Sequence, residues 1–176
     1  MILWTIQSIK AYESLCEKGV LIAGEDHTIF ESSWDAAYKW LADQMRKRVG
    51  EPPEGVKYPI WAWYQWEGKR KRPDMRSHNK ISPPGEKIVL LTIDVPDEQV
   101  LLSDSDDWHF VLSGSCLVDE ISDTEYSKAE IEESWNKIFN YENPVGGVGP
   151  LGLSTQATMW LIKKEWVKKA EMFVSR

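Results

Sequence analysis

The chain has 176 residues, 42% of them hydrophobic and 28% charged, with a formal net charge of -7. That supplies enough apolar surface for one folded domain over residues 1–176 and lies well outside the compositions of disordered chains. Net acidity argues against bulk nucleic-acid binding, which needs a dominant basic face, and two cysteines, Cys16 and Cys116, are too few for a disulfide framework.

Leu3 to Gln7 alternates as a short strand, with Trp4 and Ile6 on one face and Thr5 and Gln7 on the other. Ser8 then caps a helix running to Lys18, whose apolar positions Ile9, Tyr12, Leu15 and Cys16 recur at helical spacing, and Gly19 stops it. Val20 to Ala23 reads as a second strand. Ser32 with Asp35 has the spacing of a capping box, opening a helix with Trp34, Ala37, Tyr38, Leu41, Met45 and Val49 on one face. Arg46, Lys47 and Arg48 suit its negative end, Gly50 ends it, and Glu51 to Gly55 turns the chain.

Tyr58 to Trp66 alternates with Ile60, Ala62, Tyr64 and Trp66 on one face and Trp61, Trp63 and Gln65 on the other. Both faces are apolar or aromatic, as in a central strand or one beside a cleft. Lys87 to Val95 is a further strand, ended by Pro96. The run Ser103-Asp104-Ser105-Asp106-Asp107 is rich in N-cap residues and introduces a short helix over Trp108 to Leu112, closed by Gly114. Ser127 and Glu130 form a second capping box, opening a helix with Ile131, Trp135, Ile138 and Phe139 inward. Asn143 to Ser154 is an irregular, glycine-rich loop. Thr155 to Ile162 is a late strand, and Trp166 to Phe173 is a terminal helix or strand. Short strands and helices without regular βαβ alternation predict an α+β fold, with a mixed or antiparallel sheet flanked by helices.

Candidate chemistry gathers where aromatic residues meet positive charge. Three of the ten tryptophans, Trp61, Trp63 and Trp66, precede five basic residues, Lys69, Arg70, Lys71, Arg72 and Arg76. Trp61 or Trp63 can serve as a stacking wall beside phosphate-binding Arg72 and Arg76, with Gln7 completing a cleft for a nucleotide or NAD-like molecule. The competing interpretation is a buried strand followed by a solvated hairpin loop. His109, beside Trp108 and the acidic run, is a candidate general base, and a metal-dependent hydrolase or nuclease using Asp104, Asp106 and His109 is a further alternative. His27, His78 and His109 have no ligand spacing, so no metal site is expected. The acidic run lacks the Gly and Glu of an EF-hand, which favours helix capping. The glycines of Asn143 to Pro150 lack the Gly-Lys-Ser/Thr of a phosphate loop, which favours a loop or lid.

A cytoplasmic setting without membrane attachment is expected. The first residues lack a positive start and a long apolar run, and no stretch approaches the roughly 20 apolar residues of a membrane span.

Several longer motifs carry a resemblance. Leu3-Trp4-Thr5-Ile6-Gln7, Gln44-Met45, Tyr58 to Trp66, Arg72-Pro73-Asp74-Met75-Arg76, and Val100 to Asp104 with Trp108-His109 make the chain similar to a bacterial family, domain of unknown function 3841. The opening strand, helix and Gly19 also resemble the ADP-ribosyltransferase fold, especially its DNA-modifying toxin branch. That fold ends with a Gln-x-Glu strand. Gln156 matches its glutamine, Thr158 stands in place of its glutamate, and Thr5 or Gln7 stands in place of its N-terminal Arg or His. The second resemblance implies NAD as ligand and Gln156 as a catalytic candidate. A non-catalytic module that binds a protein partner through its aromatic strand and acidic helices is the alternative reading.

Overall fold

Alternating apolar strands bury two faces at once, and here they assemble into one antiparallel sheet. The computed structural model describes residues 1–23, 34–75, 83–118, 125–149 and 152–175. Six strands lie in the order β5 (Leu101–Asp104), β6 (Thr155–Met159), β3 (Ile60–Gln65), β1 (Ile2–Ser8), β4 (Lys87–Asp94) and β8 (Val167–Val174). Every neighbouring pair is antiparallel. A second small sheet pairs β2 (Val20–Ile22) with β7 (Leu161–Lys163). Four α-helices among the described residues, α1 (Ile9–Lys18), α2 (Asp35–Arg48), α3 (Asp107–Leu112) and α4 (Lys128–Ser134), complete an α+β architecture. No helix among the described residues is long and apolar enough to cross a membrane.

The period-two alternation assigns each strand residue to a face. Leu3, Ile60, Ala62, Leu91, Ala157 and Met159 share the face packed on Ala11 and Leu15 of α1 and on Leu21 and Ile162 of the β2–β7 pair. The opposite face is covered in two parts. Over β3, β6 and β5, α2 and α3 bring Leu41, Met45, Trp108 and Val111 down onto Trp61 and Leu101. Over β1, β4 and β8, Met75 packs with Trp4, Ile6, Ile88, Leu90 and Phe173. The two covers meet above the β1–β3 junction, where Trp4 and Trp63 are register partners.

Local signals set several elements. The Ser8 side chain accepts from the Ala11 N–H at 3.1 Å and starts α1, and Gly19 ends it with φ 77°. The Ser127–Glu130 capping box is formed in both directions. Asp35 opens α2, while the predicted Ser32 cap lies outside the described residues, as do His27, His78 and Arg76.

Three expectations change. Leu101–Asp104 is a strand, because it finds an open ladder on β6. The predicted strand Thr155 to Ile162 breaks at Trp160, whose indole N–H donates to the Gly50 carbonyl at 2.8 Å. The chain therefore leaves the main sheet after Met159 and re-pairs with β2. The predicted helix through Phe139 tightens to 3-10 geometry over Trp135–Phe139 after α4 ends. Residues Val167–Val174 settle as a strand.

Candidate functional site

Trp61 and Trp63 share a face, as their spacing predicts, but meet different surroundings. Trp61 lies in the core, 5.1 Å from the Trp108 ring centroid and edge-on to Tyr38 at 6.3 Å. Trp63 lies one pleat further along, at the sheet's open end. A bulge between Trp63 and Gln65 breaks the alternation there. Trp66 consequently comes round against Trp63, with centroids 4.6 Å apart and planes at 81°. The sequence pattern had placed Trp66 on the other face.

Trp66 and Lys69 then close a two-residue turn through paired backbone hydrogen bonds of 2.9 and 3.1 Å. Glu67 and Gly68 both take positive φ, 48° and 72°, as a mirror-image type I turn requires. Glutamate is an uncommon choice for that conformation. It places a carboxylate beside the two indoles.

Here a depression of about 260 Å³ opens. Its walls are Trp63 and Trp66, and its carboxylates belong to Glu67 and Asp106. Ser105 and Ser154 supply hydroxyls, while Gly149 and Gly152 bring backbone close. Long-range hydrogen bonds hold these pieces together. The Ser105 N–H donates to the Ser154 carbonyl at 2.9 Å, the Glu67 N–H to the Ser154 hydroxyl at 3.2 Å, and the Gly68 N–H to the Leu153 carbonyl at 2.8 Å. A Cβ on Gly152 would meet the Gly68 Cα at 2.9 Å, and its φ is 87°, so that contact admits only glycine.

The acidic run folds into a turn with separate duties for its carboxylates. Asp104 is buried and accepts from the Asp106 and Asp107 N–H groups, both at 2.9 Å, which fixes the turn leading into α3. Asp107 is also buried and accepts from the Val145 N–H and the Gly146 N–H, each at 2.8 Å. Asp107 thereby ties the strap Asn143–Gly149 beside the depression. Among the described residues, the exposed Asp106 carboxylate has no partner.

Burial, reinforced by the charges of Asp107 and Asp106, pushes the Asp104 carboxyl from 3.8 up to about 6, against the opposing pull of its two N–H donors. A folded-state value above the unfolded one means that the protonated form favours the fold. The resulting stabilisation is full below about 3.8 and is lost as pH rises through about 6. Asp104→Asn keeps an oxygen for the two N–H groups and removes the buried charge. We expect it to raise stability at pH 7.5 by about 2 kcal/mol, or ~5 °C in Tm, with the gain shrinking toward pH 4. Thermal melts of both proteins across that range check the sign.

The other sequence candidates are dispersed. Gln156 is the register partner of Trp63 on one side and of Ser103 on the other. Gln7 shares the α1-facing side of the sheet with Thr5, to whose hydroxyl its amide donates at 2.7 Å, so it does not join Trp61 and Trp63. Arg72 pairs with Glu171 of edge strand β8 at 2.9 Å. Arg70 stacks over the Tyr64 ring at 3.8 Å and donates to the Ile2 carbonyl. Lys71 reaches the rim through Glu67 at 3.4 Å. His109 lies on the exposed side of α3, with its Nδ1–H donated to the Ser105 carbonyl at 2.9 Å. The expected cleft lined by basic side chains is, in its interior, lined by acids. Of the residues lining the depression, Glu67, Ser105 and Ser154 are not singled out by the sequence, and Asp106 is singled out only for metal-dependent hydrolysis with Asp104 and His109. The Glu67-Gly68 pair directly after an aromatic strand was the available signal.

A family model described as Domain of unknown function (DUF3841) matches residues 2–127, well over half of the chain. The protein belongs to that family. The DUF3841 match takes in β1 through α3 and so includes Trp63, Trp66, Glu67, Ser105 and Asp106. It stops before the strap and β6, so Gly149, Gly152, Ser154 and Gln156 lie beyond the DUF3841 segment. No curated protein matches the chain, and no solved structure does.

Proposed function

We propose that this protein binds a nucleotide-like small molecule by its planar base, which lies against Trp63. The observation that carries this reading is an indole wall, braced edge-on by Trp66, facing a depression of about 260 Å³ with hydroxyls and carboxylates around it. A base has a π-face for the indole and N–H groups for the acceptors, and stacking of this kind contributes roughly 1–3 kcal/mol. The phosphates extend outward toward Lys69 and Lys71, the latter already paired with Glu67 at 3.4 Å.

The ADP-ribosyltransferase resemblance would add group transfer, and the placement of Gln156 beside Trp63 is compatible with NAD as one such ligand. Thr158 stands where that pattern has glutamate, and it is buried, with its hydroxyl donating to the Leu101 carbonyl at 3.3 Å. It offers no carboxylate to a positively charged transition state. Binding is therefore the reading the geometry supports best.

Calorimetric titration with AMP, GMP, CMP, UMP and NAD tests it. At least one should bind, and Trp63→Ala should weaken that ligand about tenfold or more while the protein stays folded. Absence of binding by all five, or an unchanged affinity in Trp63→Ala, would overturn the reading.

A further inference from the structure

We infer that the base held against Trp63 is one whose edge carries two adjacent N–H donors, as guanine does, and that the Asp106 carboxylate reads that edge. This rests on the nucleotide reading above and sharpens it to one base class.

The ionisable side chains bordering the depression are both acceptors, set among the indole N–H groups of Trp63 and Trp66 and the hydroxyls of Ser105 and Ser154. Glu67 and Asp106 are both carboxylates, and Glu67 already receives Lys71 at 3.4 Å. Asp106 is free among the described residues, and its backbone is fixed: its N–H donates to Asp104 and its carbonyl accepts from His109. Its Oδ2 turns toward the strap, 3.7 Å from where a Cβ on Gly149 would stand.

An independent observation points the same way. One pleat inward from Ser105 and Ser154, the register partners Ser103 and Gln156 carry side-chain oxygens that are buried with no hydrogen-bond partner. Ser103 is only 1% exposed. Neighbouring buried oxygens are seldom left unsatisfied without a reason. Gln156 is the register partner of Trp63 and lies beneath the residues that line the depression.

Acceptors select donors. Guanine presents its ring N1–H and 2-amino group side by side, in the planar spacing that matches the two oxygens of a carboxylate. Adenine and cytosine place an amino donor beside a ring-nitrogen lone pair, which a carboxylate repels. Uracil has one N–H flanked by two carbonyls. Hypoxanthine keeps N1–H and lacks the amino group.

Calorimetry on the full chain with GMP, IMP, AMP and UMP tests the inference. GMP should bind at least tenfold more tightly than each of the others. Asp106→Asn exchanges one acceptor for a donor at an exposed position, so it should bring GMP down to the level of IMP, strengthen AMP, whose ring nitrogen then meets a donor, and leave the melting temperature unchanged. Equal affinity for all four nucleotides would overturn the guanine assignment while leaving nucleotide binding intact. Retention of the GMP preference in Asp106→Asn would overturn the role of Asp106. Methylguanidine carries adjacent N–H donors without a base to stack, and its binding as tightly as GMP would show that a guanidinium group, not a base, is the ligand. Failure of every nucleotide would remove the nucleotide reading and this inference together.

Discussion

Trp108→Ala should lower the unfolding free energy by about 3–5 kcal/mol, the range for deleting a large buried aromatic side chain. Trp108 is 4% exposed and meets Tyr38 edge-on at 5.6 Å and Trp61 at 5.1 Å. These contacts join α2, α3 and β3, so truncation opens a cavity between three elements at once. Each aromatic pair adds roughly 0.5–1.5 kcal/mol beyond area burial. Domains are stable by about 5–15 kcal/mol, so the variant would lose a large share of the total. Urea denaturation followed by far-UV circular dichroism measures it. Trp108→Phe should recover much of the loss, and a cost for Trp108→Ala below about 1 kcal/mol would contradict this placement. The contrast with Trp63→Ala is informative, because that change should alter binding and cost less stability than Trp108→Ala, Trp63 being half-buried.

What the sequence made legible was mostly local. Ser8 and Ala11 are three residues apart, Ser127 and Glu130 likewise, and such caps are visible without knowing the fold. The strand alternation also sorted Trp61 and Trp63 onto one face. It could not say which of them enters the core, because that depends on where α2 and α3 land. The split at Trp160 was invisible for the same reason, since its indole bonds to Gly50 across 110 residues of chain. Leu101–Asp104 shows two principles in competition. Ser103 and Asp104 open a run that signals a helix start, and Asp104 does hold the turn into α3, yet the backbone of the segment also completes a ladder on β6.

The candidate site was half legible. An aromatic strand followed by basic residues draws attention to the region where Trp63 and the depression lie. The side chains that line it carry carboxylates, whereas the basic residues point to phosphate contacts. Arg72 meets a glutamate 99 residues away and Arg70 folds back over Tyr64, so the basic run mostly serves its own sheet. Of the two acids, Glu67 comes from the hairpin turn and Asp106 from a turn that reads as helix capping, and the arrival of residues 145–149 and 152–154 beside them makes a pocket wall. The glycines there, lacking a phosphate-loop pattern, carry out close packing: Gly152 on Gly68, and Gly146 on Asp107.

Asp107→Ala should cost about 2–4 kcal/mol and loosen the strap in particular. The Asp107 side chain is fully buried, and two charge-assisted hydrogen bonds of 2.8 Å tie it to the Val145 and Gly146 N–H groups. A Cβ on Gly146 would lie 2.9 Å from Asp107 Oδ1, a measure of how closely the strap is drawn in. Without the carboxylate, both N–H groups lose their acceptor and are only partly open to water, which sets the cost below that of a fully buried orphan pair. Hydrogen exchange should show faster exchange at Val145 and Gly146, with α1 and β4 unchanged. Asp107→Asn is not an innocent replacement, because it turns an NH2 group toward one of two N–H donors, and it should recover less than half of the loss. The strap also contributes Gly149 to the wall of the depression, so the same variant should weaken any ligand that stacks on Trp63. Slower exchange in wild type on adding that ligand, absent in Asp107→Ala, would link the clasp to the site. Unchanged exchange at Val145 and Gly146 would mean that the strap is held by Gly152 and Leu153 alone.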